Sequence, residues 1–398
     1  MIYTKHSNRQ NDKKLSNFND KQSQNCIVLQ CLRPVKRDNP QKDYRFYMNA
    51  IPVTNLFNKP CYSQFDDQDW DILAHHWYPV ARIQDVSTQP QQVTLLDVKL
   101  ALYKTDSGDI HLVRDICPHR GVPLTKGWVS GENLVCPYHG LHYNGQGKCI
   151  KIPAQPELTK ISERFSLTKF PVVEKYGLIW TSIFSRDESK ANFPVLDTWE
   201  IPDHQAILPP FVDIAGSSGR QLEGFIDVAH FAWVHHGSFA DPENQIVPKY
   251  TTKRTDYGLH TEYVSSVSNY PHGMQHLAPE GFLWKRVFDV YPPFSAVLTV
   301  HFPEQGLLKI LNACCPISHN KTRLFVPLTR NFDTTGDLQA VYDFNAQIFA
   351  EDQDMVESQK PEELPLDISM EAHFEADRSS TTYRRILAEW GLSKRYVV

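Results

Sequence analysis

No stretch of these 398 residues stays apolar long enough to cross a bilayer. The opening Met1-Ile-Tyr-Thr-Lys-His lacks the apolar segment of a secretory signal. Cysteine spacing of the disulfide-framework kind is missing too: the eight cysteines are scattered, and Cys314 and Cys315 are adjacent. Free thiols suit a reducing compartment, so the expectation is a cytoplasmic protein without a transmembrane segment. There is no G-x-G-x-x-G following a strand, hence no seat for a nicotinamide or flavin nucleotide, and no internal repeat. Excess charge of one sign is also scarce, the net charge being −5. Residues 1–45 depart from this, with ten Lys/Arg against four Asp/Glu; the remainder holds 31 against 42. Such a basic, Asn- and Gln-rich leader could meet an acidic partner or nucleic acid. Its composition reads better as a solvated, poorly ordered extension, and no nucleic-acid partner is expected.

What is present suffices for two or three cores: 41% hydrophobic and 12% aromatic residues over this length. The pattern divides the chain into a leader (1–65), a small antiparallel β domain (66–185) and a larger domain (186–398), broken at Ser185-Arg-Asp-Glu-Ser-Lys190. Thr94–Tyr103, Ile110–Val113 and Gly177–Ile183 are expected as strands of the first domain. In the second, strands are expected over Thr261–Val267, Leu283–Val290, Ala296–Phe302, Leu307–Ala313 and Arg323–Leu328. Helices are expected over Asp337–Ser358, on its three- and four-residue apolar spacing, and over Ser379–Glu389. Strands followed by helices predict an α+β fold with helices on one face of an antiparallel sheet.

Two short pairs carry the chemistry: Cys117-Pro118-His119 and Cys136-Pro137-Tyr138-His139. Each offers one thiolate and one imidazole, the ligand set of a Rieske [2Fe–2S] centre. Pro118 and Pro137 stiffen the two loops, and Gly121 and Gly140 permit tight backbone after the histidines. A Cys₂His₂ zinc site normally places its cysteines together and its histidines together, so the interleaved order fits zinc poorly.

From about Asp69 onward the sequence resembles the Rieske non-heme iron oxygenases, on Cys117-Pro-His-Arg-Gly-Val-Pro-Leu, Cys136-Pro-Tyr-His-Gly and Gly145-Gln-Gly-Lys-Cys-Ile-Lys-Ile-Pro153. Leu141 stands where many relatives carry tryptophan. The resemblance implies that Cys117, His119, Cys136 and His139 hold the cluster, and that the second domain has a helix-grip form. Asp227-Val-Ala-His230-Phe-Ala-Trp-Val-His235 looks like the family's mononuclear iron motif. Two histidines and a carboxylate with open positions suit non-heme Fe(II). Residues five apart lie about 140° from each other around an ideal helix, so His230 and His235 can share an ion only if the helix ends or bulges. His236 competes with His235, and the family's spacing favours His235. Glu351, Asp352 and Asp354 are candidates for the third ligand. Asp352 shares the apolar helix face, and the family's pattern ahead of Ser358-Gln359 also selects it. Asp227 is implied to bridge a cluster histidine of one subunit, His139, to His230 of the next.

The resemblance further implies a terminal oxygenase component of α-only type, a homotrimer fed by a separate NAD(P)H-dependent reductase or ferredoxin. With O₂ it would hydroxylate or oxidatively demethylate a small-to-medium aromatic, alkaloid or pigment-like molecule. The ending from Asp377 to Gly391 looks like that of cyanobacterial saxitoxin-pathway oxygenases and aromatic demethylases. A ring-hydroxylating dioxygenase and a Rieske electron carrier are the alternatives; the second ligand set beyond residue 185 counts against the carrier. Aromatic residues such as Phe225, Phe231, Tyr263, Trp284 and Phe288 suggest an apolar pocket in the second domain.

Overall fold

Alternation of buried and accessible side chains makes antiparallel sheet the main regular structure of the described residues. The computed structural model describes residues 58–393. A helix α1 (Asp67–Leu73) comes first, its Asp66 cap accepting from the Gln68 amide at 2.9 Å. Then follow β1 (Tyr78–Arg82), β2 (Gln91–Leu95), β3 (Val98–Lys104), β4 (Ile110–Arg114), β5 (Trp128–Ser130) and β6 (Asn133–Val135). The first domain closes with β7 (His142–Tyr143), β8 (Cys149–Lys151), β9 (Lys169–Phe170), β10 (Val173–Lys175) and β11 (Leu178–Thr181). These strands form three sheets of order β1-β11-β10, β2-β3-β4-β9 and β5-β6-β7-β8.

The remaining strands belong to one nine-stranded sheet. They are β12 (Gln205–Ile207), β13 (Val212–Ile214), β14 (Thr251–Arg254), β15 (Leu259–Ser265) and β16 (Trp284–Tyr291), then β17 (Ser295–His301), β18 (Leu307–Ser318), β19 (Lys321–Phe325) and β20 (Leu328–Arg330). Helices α2 (Ser218–Ile226) and α3 (Phe231–Val234) fall between β13 and β14, and α4 (Leu338–Ser358) and α5 (Arg378–Glu389) follow the sheet. One sheet face takes the helices: α2 packs on β17, β18 and β19, and α5 on β14 and β15. That face is legible in β15 and β16, where buried Leu259, Thr261, Tyr263 and Ser265 pair with buried Val290, Phe288, Arg286 and Trp284. The result is the expected α+β architecture of β domain followed by helix-covered sheet.

The structure differs from the sequence pattern at three places. The apolar run expected as one strand over 94–103 is a hairpin, turning at Leu96 and Asp97 with φ of 51° and 64°. Its tip docks on the second domain, the Leu96 amide donating to Pro316 O at 2.7 Å and the Asp97 amide to Ile317 O at 2.8 Å. Those contacts offset the cost of left-handed backbone at non-glycine residues, about 1–2 kcal/mol each. The strand expected over 323–328 is two strands, β19 and β20, because Pro327 between them has no amide to keep a ladder going. Finally, 59–65, placed with the leader by composition, belong to the compact unit that begins at Lys59. Tyr62 and Ser63 bond to Asp97 there, at 2.8 and 2.7 Å. Residues 1–57 of the leader lie outside the described residues.

Buried charge fixes α2 in place. Arg384 of α5 forks onto Glu223 of α2 through two bonds of 2.6 and 2.7 Å, and Glu371 accepts from both Arg384 and Arg220. The Arg384–Glu223 fork is buried, so removing one of its partners costs about 3–5 kcal/mol, whereas Glu371 keeps 27% of its side chain accessible. Glu223 lies one turn before Asp227, the residue at which α2 ends.

Candidate metal centres

The first candidate centre is made by two loops with one hydrogen-bond frame. After β4, the Cys117 amide donates to Val122 O at 2.8 Å and the Gly121 amide to Cys117 O at 2.9 Å. Between β6 and β7, the Cys136 amide donates to Leu141 O at 2.9 Å and the Gly140 amide to Cys136 O at 3.1 Å. Gly121 and Gly140 have φ of 71° and 66°, the left-handed backbone that glycine adopts without strain. The thiols of Cys117 and Cys136 are buried, whereas His119 is half-buried and His139 exposed. The two imidazoles meet through their Nδ1 atoms at 3.1 Å. Tyr143 Oη stands 3.2 Å from Cys117 Sγ. Leu141, in place of the expected tryptophan, is fully buried and supplies the carbonyl that holds Cys136. Burial pushes the Cys136 thiol up, so binding there must release its proton.

The second candidate centre depends on where two helices stop. α2 ends at Asp227, which has extended backbone, and the chain re-enters a single helical turn whose flanking residues are His230 and His235. That interruption brings together imidazoles which a continuous helix would splay. His230 Nε2 and His235 Nε2 are 3.2 Å apart; Asp352 Oδ1, from α4, is 3.2 Å from His235 Nε2 and 3.6 Å from His230 Nε2. These three side chains form the one metal-holding group of its kind found among the described residues.

Carboxylates hold the far side of both rings. Asp227 Oδ2 lies 3.1 Å from His230 Nδ1, and its Oδ1 accepts from the Ala229 amide at 2.9 Å. Burial opposes ionisation of Asp227, but the hydrogen bond and charge of His230 hold its carboxyl below the ordinary range. Glu351 Oε2 accepts from His235 Nδ1 at 2.9 Å and from Ser238 Oγ at 2.8 Å, while Gln347 donates to its Oε1. A carboxylate beside each Nδ1 favours the tautomer that carries its hydrogen there, which turns the Nε2 lone pairs toward Asp352 Oδ1. Three converging acceptors repel unless a cation joins them. Donors about 2.1 Å from a shared first-row ion sit roughly 3.0–3.4 Å apart, close to the observed edges. Burial pulls His235 down, yet the bonds and charges of Asp352 and Glu351 raise it overall. Phe239 stacks on His235 at 4.9 Å and Phe231 meets His230 edge-on at 4.9 Å, shielding the rings from water.

Other sequence expectations divide clearly. Glu351, a candidate third ligand, lies off the helix face that carries Asp352 and meets the far nitrogen, Nδ1, of His235 instead. Asp354 is exposed. His236 turns outward, donating from Nδ1 to Trp233 O at 2.7 Å, so it does not join the group. Within the single chain neither His119 nor His139 is among the partners of Asp227 (described residues only). Beside Asp227 there is a polar recess of ≈ 340 Å³, lined by Arg220, Gln359, Lys360, His373 and Asp377 among others.

Comparison with known proteins follows the same division. Residues 76–171 match the Rieske [2Fe-2S] domain, and residues 215–393 the vanillate O-demethylase oxygenase C-terminal domain. The chain is 31% identical to methylxanthine N1-demethylase NdmA of Pseudomonas putida, over 80% of this chain and 89% of that protein. It is 28% identical to methylxanthine N3-demethylase NdmB of the same organism, over 82% and 92%. The solved structure of Pseudomonas putida CBB5 NdmA with caffeine superposes with a TM-score of 0.70 at 29% identity, covering 81% of this chain and 92% of that one. Dicamba monooxygenase bound to dicamba shares the fold, with a TM-score of 0.70 at 19% identity, covering 80% and 97%.

Proposed function

The chain belongs to the Rieske non-heme iron oxygenases, as a terminal oxygenase component, and from that premise we propose that it removes methyl groups oxidatively from N-methylated heteroaromatic molecules. Proteins of this family work with a separate reductase or ferredoxin and O₂, using a Rieske cluster and a mononuclear iron. We assign the cluster to Cys117, His119, Cys136 and His139, and the mononuclear iron to His230, His235 and Asp352. When bound, the two metal groups relay electrons and activate O₂.

The chain's own residues do the rest. Two imidazoles and one carboxylate leave coordination positions open for O₂ beside a substrate. Asp227 and Glu351 keep the imidazoles in the tautomer that presents Nε2. Phe231 and Phe239 limit water around the rings. The balanced reaction converts an N–CH₃ group, O₂, two electrons and two protons into N–CH₂OH and water; the hydroxymethyl product then loses formaldehyde and leaves N–H. Hydroxylation of one methyl C–H bond favours the monooxygenase over the dioxygenase reading. In the single chain the Asp227 carboxylate faces a polar recess large enough to receive a side chain from outside. That supports a trimer in which His139 of one subunit meets Asp227 of the next. Among the described residues all six cysteines are unpaired, and no helix is long and apolar enough to cross a membrane. The unpaired thiols support a cytoplasmic setting.

One observation carries this reading: ligand atoms of His230, His235 and Asp352 meet within 4.8 Å of one another. The test is single-turnover chemistry with a surrogate reductase and caffeine. One formaldehyde per O₂ consumed supports demethylation. O₂ uptake that yields hydrogen peroxide and no formaldehyde, across caffeine, theobromine and an O-methyl benzoate, refutes it.

A further inference from the structure

Ser238 gives its hydroxyl proton to a carboxylate that already serves a metal-holding histidine. The residue is 3% exposed and lies three positions beyond His235, in the turn that follows α3. Its Oγ stands 2.8 Å from Glu351 Oε2 and 3.3 Å from His235 O. A serine hydroxyl has one proton to donate, and the shorter contact takes it. Glu351 Oε2 also accepts from His235 Nδ1 at 2.9 Å, so two donors converge on one oxygen. The other oxygen, Oε1, accepts from Gln347 Nε2 at 3.1 Å, and the same amide donates to Gly237 O at 3.1 Å. A Cβ at Gly237 would come within 3.2 Å of Oε1, so a glycine there lets the turn lie close against the carboxylate.

Closing the turn needs only a bond to His235 O, and the Ser238 amide already makes one at 3.1 Å. The hydroxyl goes to Glu351 instead, and that has an electronic consequence. A carboxylate on the far nitrogen raises the basicity of a metal-bound imidazole. A more basic ring favours ferric over ferrous iron, because the higher charge gains more from a stronger donor. A second donor on the same carboxylate oxygen draws off part of its negative charge and lessens its pull on the ring N–H. Gln347 is exposed, so water can stand in for its amide; Ser238 is buried, and solvent does not replace its hydroxyl.

We propose that Ser238 is a positioning residue which, acting through Glu351, limits how strongly His235 favours ferric iron and so keeps the mononuclear ion reducible by the cluster. The inference rests on the iron assignment above and deepens it. Ser238 touches neither the ion nor the substrate; its whole effect passes through one oxygen of Glu351.

Potentiometric titration of the iron-loaded enzyme, read from the high-spin ferric resonance, tests this by sign. Ser238→Ala leaves the His235 N–H alone on Oε2, so the preference for ferric iron should rise by about three- to tenfold. That is a fall of about 30–60 mV, at 59 mV per tenfold for one electron. Gln347→Ala, on the exposed side, should move the potential less. Glu351→Gln, which removes the charge itself, should move it upward. If Ser238 merely anchored Glu351, its loss would loosen the bond to His235 and raise the potential, as Glu351→Gln does. That upward shift, no shift, or a larger shift in Gln347→Ala than in Ser238→Ala overturns the inference. Should Ser238→Ala fail to fold, judged by loss of the cluster spectrum, Ser238→Cys takes its place. Its weaker donor should give a smaller downward shift, and an upward or absent one overturns the inference equally. Failure of the iron assignment looks different: no ferric resonance apart from the cluster, in wild type or any variant, refutes both. A ferric resonance whose potential ignores Ser238 removes only the role given to that residue.

Discussion

Replacing Glu351 isolates the support of the catalytic ion from the ion's own ligands. Its carboxylate takes the Nδ1–H of His235, only 2% exposed, and the Ser238 hydroxyl, at 2.9 and 2.8 Å. In Glu351→Ala the imidazole N–H loses a charge-assisted partner worth about 1.5–3 kcal/mol. The ring is then free to rotate or to change tautomer, turning its Nε2 lone pair away. Partners of this kind typically change metal affinity by 10–100-fold. Glu351→Gln keeps an oxygen acceptor and loses only the charge, so its effect should fall at or below the lower end. Fe(II) titration of metal-free mononuclear sites, with the cluster intact, measures both. The expected order of affinity is wild type, then Gln, then Ala, with an unchanged cluster spectrum throughout. Equal Fe(II) affinity in all three would mean that Glu351 is a helix surface charge beside the centre and no part of its support.

Three other outcomes are expected. Asp352→Ala should abolish mononuclear iron binding and turnover while the cluster spectrum persists; retained activity moves the third ligand to another acid of α4. Asp227→Asn should slow electron transfer between the centres by about 10-fold or more with both metal groups bound, read by stopped-flow oxidation of the reduced cluster, and an unchanged rate removes the bridging role. The third concerns pH. Burial opposes the charge on Glu371, but Arg220 and Arg384 override it and hold the carboxyl below its ordinary range. Its folded pKa is thus lower than its unfolded value of about 4.3, so its stabilisation is full above that value and is lost as pH falls through the folded pKa. The melting-temperature gap between wild type and Glu371→Gln should therefore be widest at neutral pH and shrink below about pH 4; a constant gap contradicts the network.

Much of this molecule can be read from residues. The Cys-Pro and His order marks both cluster loops, because thiolates and imidazoles interleaved at that spacing have few other uses. Helix α4 follows from its apolar period, and β15, β16, β17 and β18 from their apolar and β-branched runs, while the short strands β12, β13 and β14 leave no such signal. What stays hidden depends on contacts distant in sequence. The Leu96–Asp97 turn lies within an apolar run, and it is stable only because Pro316 and Ile317 receive its amides. The helix break that pairs His230 with His235 was required by geometry, yet nothing in the local sequence fixes its position at Asp227. Helix phase sets Glu351 apart from Asp352, yet no phase argument shows that its carboxylate meets the far nitrogen of His235. Ser238 sits in an ordinary turn sequence; no sequence signal marks a serine whose hydroxyl reaches a carboxylate 113 positions away.

The central claim is that one chain carries two separate iron centres, a cluster on the paired loops and a single ion at His230, His235 and Asp352. Iron and acid-labile sulfide analysis of the purified protein, with electron paramagnetic resonance after dithionite reduction and nitric oxide addition, tests it most directly. The account predicts about three irons and two sulfides per chain, a reduced-cluster signal, and a high-spin iron–nitrosyl signal that disappears in Asp352→Ala while the cluster signal remains. Absence of sulfide, or a nitrosyl signal that survives Asp352→Ala together with a His230→Ala, His235→Ala pair, would contradict it.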